Sequence, residues 1–247
     1  RGANLLQATT NSYRLVCIVC HSFETHGGSI KAEMGRAGEP AESRTGAPNP
    51  WLDVDLAGVR DARERILRTA YALYWRHGIN AVGVDRVVAE AGVAKTSLYR
   101  HFQSKEGLVV AVIERHKEAW TRDWLLAEVE RRGQTPREKL LAIFDAFDDW
   151  FRQDHFDGCL FTNTLIEAHH QPAPIRDAAA AALVEVRALV SRVAEAAGAR
   201  DPDDLASRLQ LLMMGSIISA LNGQTDAAEH ARAAAELLLE HELPASA

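Results

Sequence analysis

From about Val59 onward, every well-patterned segment of this 247-residue chain repeats its apolar residues at three- and four-residue spacing. None alternates with a period of two. The segments are divided by helix-start and helix-stop residues. Thr135-Pro136-Arg137-Glu138 joins a capping box to a proline at the first helical position, and Asp201-Pro202 repeats the cap and proline. Gly78, Gly92, Gly198 and Asn222-Gly223 mark ends. This punctuation predicts an all-α chain of about nine helices: about Val59–His77, Val84–Ala91, Lys95–Phe102, a long helix from Ser104 to Arg132, Thr135–Asp154, Cys159–His169, Pro174–Ala197, Asp201–Leu221 and Asp226–Leu243.

Residues 1–50 differ. Gly, Ser, Pro, Thr and Asn are frequent there, no helical period persists, and GRAGEPAESRTGAPNP over Gly35–Pro50 reads as a linker, so a disordered N-terminal tail is expected. The first methionine is Met34, and we expect the natural start there. The longest apolar run in this region, Leu15–Cys20, is far short of the roughly 18 residues a membrane span requires. Three cysteines, Cys17, Cys20 and Cys159, make no disulfide framework, so a cytoplasmic protein with no membrane association is expected.

The net charge of −6 argues against a polyanion partner until its distribution is considered. Between Arg60 and Lys117 there are 11 Lys or Arg against 6 Asp or Glu, so a basic segment is joined to an acidic remainder. Within it, GINAVGVDRVVAEAGVAKTSLYRHFQSKEG (Gly78–Gly107) holds two short helices separated by Ala91-Gly92-Val93, the spacing of a helix-turn-helix. Val87, Val88, Ala91, Val93, Leu98 and Phe102 are placed to pack with Ile66 and Leu73, and the stripe Ile66, Ala70, Leu73, Tyr74 and His77 is expected on one face of the preceding helix. That packing turns Lys95, Thr96, Ser97, Tyr99, Arg100 and His101 outward, as donors and cations suited to base edges and phosphates. No acid occurs between Val93 and Ser104. Tyr99 as a packing residue and His101 as a helix-end cation are the alternative readings of those two positions.

The stretch resembles the N-terminal DNA-binding domain of the TetR (tetracycline-repressor) family. The resemblance is carried by Ile66-Leu67, Ala70, Gly78, Val84-Asp85-Arg86-Val87, Ala91-Gly92-Val93, Ser97-Leu98-Tyr99-Arg100-His101-Phe102 and Ser104-Lys105-Glu106-Gly107-Leu108. It implies a DNA-binding domain over 51–104, a helical ligand-binding and dimerisation domain over 105–247, and no catalysis, cofactor or metal. It also implies DNA contacts from Lys95, Thr96, Ser97, Tyr99, Arg100 and His101, and a phosphate held by Lys105. The chain departs from the family at Val82-Gly83-Val84, where many members carry Thr or Ser. The hydroxyl contact to phosphate is lost there, and the Gly83 or Val84 backbone N–H is its replacement. The partners implied are a double-stranded, palindromic operator, a small-molecule effector and a second copy of the chain, with repression the expected outcome.

In the body, Leu205, Leu209, Leu212, Met213, Ile217 and Leu221 of the penultimate helix, and Ala227, Ala231, Ala234, Ala235 and Leu238 of the last, are expected to form a homodimeric four-helix bundle. Completion of each subunit's own core is the other reading. Trp120, Trp124, Phe147, Phe151 and Phe161, with Asn163 and Glu167, are the candidate effector wall, fitted to a largely apolar molecule. A competing reading makes the chain a metal- or thiol-dependent redox protein using His155, His169 and Cys159. Cys17-Ile18-Val19-Cys20-His21 matches the pattern for c-type haem attachment but lacks a secretory signal, and we read it as coincidence.

Overall fold

The computed structural model describes residues 56–154, 156–167 and 172–243. The expected tail, Met34, the CxxCH stretch, His155, His169 and His170 lie outside the described residues.

The described residues form helices α1 (Ala62–His77), α2 (Val84–Ala91), α3 (Lys95–Phe102), α4 (Lys105–His116), α5 (Leu126–Arg132), α6 (Pro136–Phe151), α7 (Leu160–Glu167), α8 (Ala173–Ala196), α9 (Pro202–Leu221) and α10 (Ala227–Glu242). A π-helical stretch, Lys117–Leu125, joins α4 to α5 without a break. Counting that rod once gives nine helices among the described residues, with no strand.

Ser104, Thr135 and Asp201 cap the helices that the sequence assigns to them, and Asp61 caps the first. Asp61 accepts from the Arg63 amide, Ser104 from Gly107, and Asp201 from Asp204. Thr135 and Glu138 close a reciprocal capping box. Each satisfies backbone donors that a helix start leaves without intrahelical partners. The first helix begins at Ala62, three residues later than expected, because Asp61 supplies its cap.

The head forms around α1. Ile66, Leu73, Val87, Ala91, Leu98 and Phe102 are buried together, and the Arg65 guanidinium ties α1 to the turn after α2 by donating to the Ala91 carbonyl at 2.8 Å. His77 is not part of the α1 stripe: it is exposed and pairs with Arg86 at 3.1 Å, because Trp75 and Ile79 fill the interior at that end. Gly92 turns the chain in the left-handed region (φ 64°), where its amide satisfies carbonyls at the end of α2.

The body is a helical bundle in which α9 lies against α8 and α10, and α10 also packs on α6. The periodicity of the last two helices is resolved differently from the expectation. Leu205, Leu209, Met213 and Ile217 face the protomer's own core with Ala227, Ala231, Ala235 and Leu239. Leu221, at the end of the expected stripe, is exposed, and so are Leu211 and Ile218 on α9 and Leu237 on α10. Both sides of α9 are apolar, so spacing alone could not choose between them.

Candidate nucleic-acid interface and body interior

The sequence-derived contact set collects on one surface. Lys95, Thr96, Tyr99 and Arg100 are exposed on α3, and Ser97 and His101 are half-buried. Leu98 and Phe102 anchor the helix from below, so its orientation is fixed by apolar burial rather than by its polar groups. Tyr99 is 43% exposed, which settles its ring on the outer surface rather than in the head's core. Arg100 makes no ion pair among the described residues. Lys95 is paired with Asp85 of α2 at 2.7 Å, and this carboxylate holds the ammonium above its ordinary pKa. His101 lies edge-on to Phe102, whose ring also carries the Arg63 guanidinium 5.3 Å from its centroid. Gly83 stands before α2 with no side-chain cap.

Lys105 is placed differently from the rest. Its Nζ donates to the Ile79 carbonyl at 2.8 Å, and burial pushes its pKa down against the opposing pull of Glu106 and Glu167. Part of its donor capacity is spent holding the α1–α2 turn to the start of α4. The α3–α4 corner is tight. Gln103 has a positive φ of 65°, and a Cβ on Gly107 would sit 2.1 Å from the Phe102 carbonyl oxygen.

Trp120, Trp124, Phe147, Phe151 and Phe161 come together in one aromatic cluster. The Trp120 ring lies tilted at 5.3 Å from Trp124 and 6.0 Å from Phe147 and edge-on at 6.3 Å from Phe161, and Phe147 lies 5.6 Å from Phe151. Trp150 is central to the same cluster. Asn163 and Glu167 line a different space, a cavity of about 70 Å³ bounded by Tyr74, Trp75, Gly78, Ile79, Leu160 and Thr164.

Sequence reasoning missed His116. It is fully buried beside Phe161 (4.8 Å) and Trp75 (5.2 Å), shares a 2.6 Å hydrogen bond with the Tyr71 hydroxyl through Nδ1, and is held neutral by burial, its pKa pushed down to about 3. Its Nε2 has no partner among the described residues, nor have the buried polar atoms of Trp120 and Thr121. The π-helical stretch starts one residue beyond it, and π-helical turns gather at functional sites. No local pattern marks such a histidine, because its neighbours come from α1 and α7.

The redox reading finds little to stand on. Cys159 is a buried free thiol whose pKa is raised by burial, the opposite of a reactive thiolate. Among the described residues no three His, Cys, Asp or Glu side chains gather where a metal ion would be held.

Comparison with known proteins agrees with this architecture. The family described as bacterial regulatory proteins, tetR family, matches residues 66–112, and the tetracyclin repressor-like C-terminal domain matches residues 136–235. A putative tetr-transcriptional regulator from Streptomyces avermitilis has a solved structure of the same fold, with a TM-score of 0.66 at 29% identity, covering 74% of this chain and 98% of that one. The HTH-type transcriptional activator FasR of Mycolicibacterium smegmatis is 31% identical over 53% of this chain and 60% of its own length. The HTH-type transcriptional repressor NemR of Escherichia coli is 29% identical over 55% of this chain and 68% of its own. The chain thus spans only about three fifths of FasR. With a helix-turn-helix head on a helical body, and both parts matched, the chain belongs to the TetR family of transcriptional regulators. No helix among the described residues is long and apolar enough to cross a membrane.

Proposed function

We propose that the protein works in the cytoplasm as a ligand-responsive repressor. As a homodimer it binds a palindromic operator, with residues 51–104 as the reading head and 105–247 as the effector-binding and dimerisation body. The observation that carries this is the outer face of α3, where Thr96, Tyr99 and Arg100 stand exposed on a helix that itself carries no acid, the neighbouring Asp85 carboxylate of α2 being paired with Lys95. Arg100 and Tyr99 would read base edges, with Thr96 and Ser97 as shorter donors and Lys95 and His101 at the flanks. Lys105 and the Gly83–Val84 amides would meet phosphate. The two heads of a dimer would enter major grooves about 34–36 Å apart.

The dimer is supported by the outward apolar residues Leu211, Ile218, Leu221 and Leu237 on α9 and α10, which a second copy would cover. The effector would enter the aromatic cluster of Trp120, Trp124, Phe147, Phe151 and Phe161, where neutral His116 and the partnerless Trp120 and Thr121 polar atoms offer hydrogen bonds in apolar surroundings. Such surroundings favour a largely apolar, uncharged molecule, since no charged side chain of that set stands ready to pair with a buried ion.

A gel-shift titration with the DNA flanking the protein's own gene tests the reading. Saturable binding is expected, and full affinity in a Tyr99→Ala, Arg100→Ala double variant would exclude α3 as the reading helix. Deleting the gene should raise a reporter driven by that fragment; a fall would make the protein an activator.

A further inference from the structure

We propose that Asp85 is a positioning residue for sequence discrimination: by pairing with Lys95 it withholds that ammonium from phosphates and leaves it two donors for a guanine edge. The inference rests on the operator reading and adds to it one residue and one base.

The sequence gives α3 no acid of its own, so a carboxylate that reaches its first residue has to come from another helix. Asp85, in the first turn of α2, supplies it, with Oδ1 2.7 Å from Lys95 Nζ. The lysine and the arginine of the reading helix are thus treated differently. Arg100 makes no ion pair among the described residues, while Lys95 is held. Tyr99, one turn along α3, is close enough to act on the same ammonium, so the pair stands beside it on the outer surface.

Fold stability does not account for the pair. The Asp85 side chain is 78% exposed and that of Lys95 48%, and ion pairs this open to water stabilise a fold little. Affinity does not account for it either, because a surface shaped only to hold a polyanion loses by carrying an exposed acid. What the pair changes is the balance between two kinds of contact. A phosphate draws a cation by its net charge and releases a counterion, and a carboxylate already beside the ammonium offsets that attraction. A base edge is neutral and takes hydrogen bonds, which the compensated ammonium can still donate.

The number of donors left over names the base. An ammonium has three N–H donors, and Asp85 occupies one. Guanine presents two adjacent acceptors, N7 and O6, in the major groove. Adenine sets a donor beside its N7, thymine offers one acceptor beside a methyl group, and cytosine offers a donor. Two free donors on a tethered ammonium therefore select guanine.

The test begins with selection of a binding sequence from random duplex DNA by the full chain. Anisotropy titrations of the selected operator and of a scrambled duplex follow at several salt concentrations. Asp85→Asn, which keeps the size and removes the charge, should bind the scrambled duplex several-fold tighter, with a salt slope steeper by about one unit for each head. Its operator affinity should rise less or fall, so that the operator-to-scrambled ratio drops about tenfold. With the unaltered protein, replacing one particular guanine of each half-site by adenine should weaken binding about tenfold or more, and Lys95→Ala should abolish that difference. An equal rise on both DNAs would make Asp85 a general repellent and overturns the proposal. So does a lowered melting temperature with an unchanged ratio, which would make it a helix-start residue only. A guanine requirement that survives intact in Lys95→Ala overturns it as well. If no sequence is enriched from the random pool, the operator reading itself falls; an enriched palindrome on which Asp85→Asn behaves as the unaltered protein sinks this inference alone.

Discussion

The helices α2 and α3 handle their polar groups in the opposite way from the layer made by α1, the α4–α5 rod and α7. On α2 and α3 every buried side chain is apolar, and the polar residues are turned out to the surface. Between α1, the α4–α5 rod and α7, buried polar atoms of Thr69, Tyr74, Trp75, His116, Trp120, Thr121 and Thr164 lack partners among the described residues. An apolar core with polar groups kept outside favours one rigid arrangement, which suits a surface that must match DNA. An interior with unmet hydrogen-bonding capacity gives up stability where something else can bind. The helix-turn-helix is a fixed shape, and the layer behind it is an unfinished one.

Damage to the corner between α3 and α4 should test the rigid half most severely. Gly107→Ala would drive a methyl into the Phe102 carbonyl, and Leu98→Ala would empty the floor of α3. Each should cost about 3 kcal/mol in chemical denaturation, and DNA binding should fail with folding. A body substitution of equal cost that left operator affinity intact would sharpen the contrast.

Surface changes on the same helix should do the reverse. Arg100→Ala should leave the melting temperature unchanged and weaken operator binding by about 1–3 kcal/mol in a gel shift at fixed salt. Loss of stability without loss of affinity would break the division between floor and face.

The body's counterpart is a pH effect. His116 is held neutral when folded, with a pKa of about 3, but titrates near 6.5 when unfolded. Its depressed folded pKa means that the unfolded chain binds the extra proton first. Stability is therefore complete above about pH 6.5 and falls as pH drops toward 3, by about 2 kcal/mol between pH 6.5 and 5. His116→Phe should flatten that part of a urea-midpoint profile. A profile identical in both proteins would show that His116 is not the group responsible.

The smallest expected effect is at the caps. Ser104→Ala and Thr135→Ala should each cost about 1 kcal/mol in urea denaturation, one in the head's boundary and one in the body. Equal costs would show that the two halves differ in their interiors and not in how their helices are started.

What could be read from the sequence follows the same division. The caps, the Gly92 turn and the floor of α3 are local, set by residues within one or two turns of each other, and spacing reveals them. The Tyr71–His116 pair joins positions 45 residues apart, and the partnerless polar atoms come from three helices, so no window along the chain contains them. The π-helical stretch carries residues that read equally well as plain α-helix, Trp120, Thr121 and Trp124 all facing the interior. The orientation of α9 was hidden for a different reason: its two apolar sides compete, and packing against α8 and α10 decided between them.

The close approach of Gly107 to the Phe102 carbonyl leaves Gln103 and Ser104 as the whole joint between α3 and the rod. A joint that short bends little, so the rod acts on the reading helix as a crank. The α4 segment, 12 residues long, gives an arm of about 18 Å. A pivot of roughly 10° near His116 would carry the far end about 3 Å, the arm length times the angle. Small strain at the buried histidine would thus arrive at the reading helix as a displacement of its outer face.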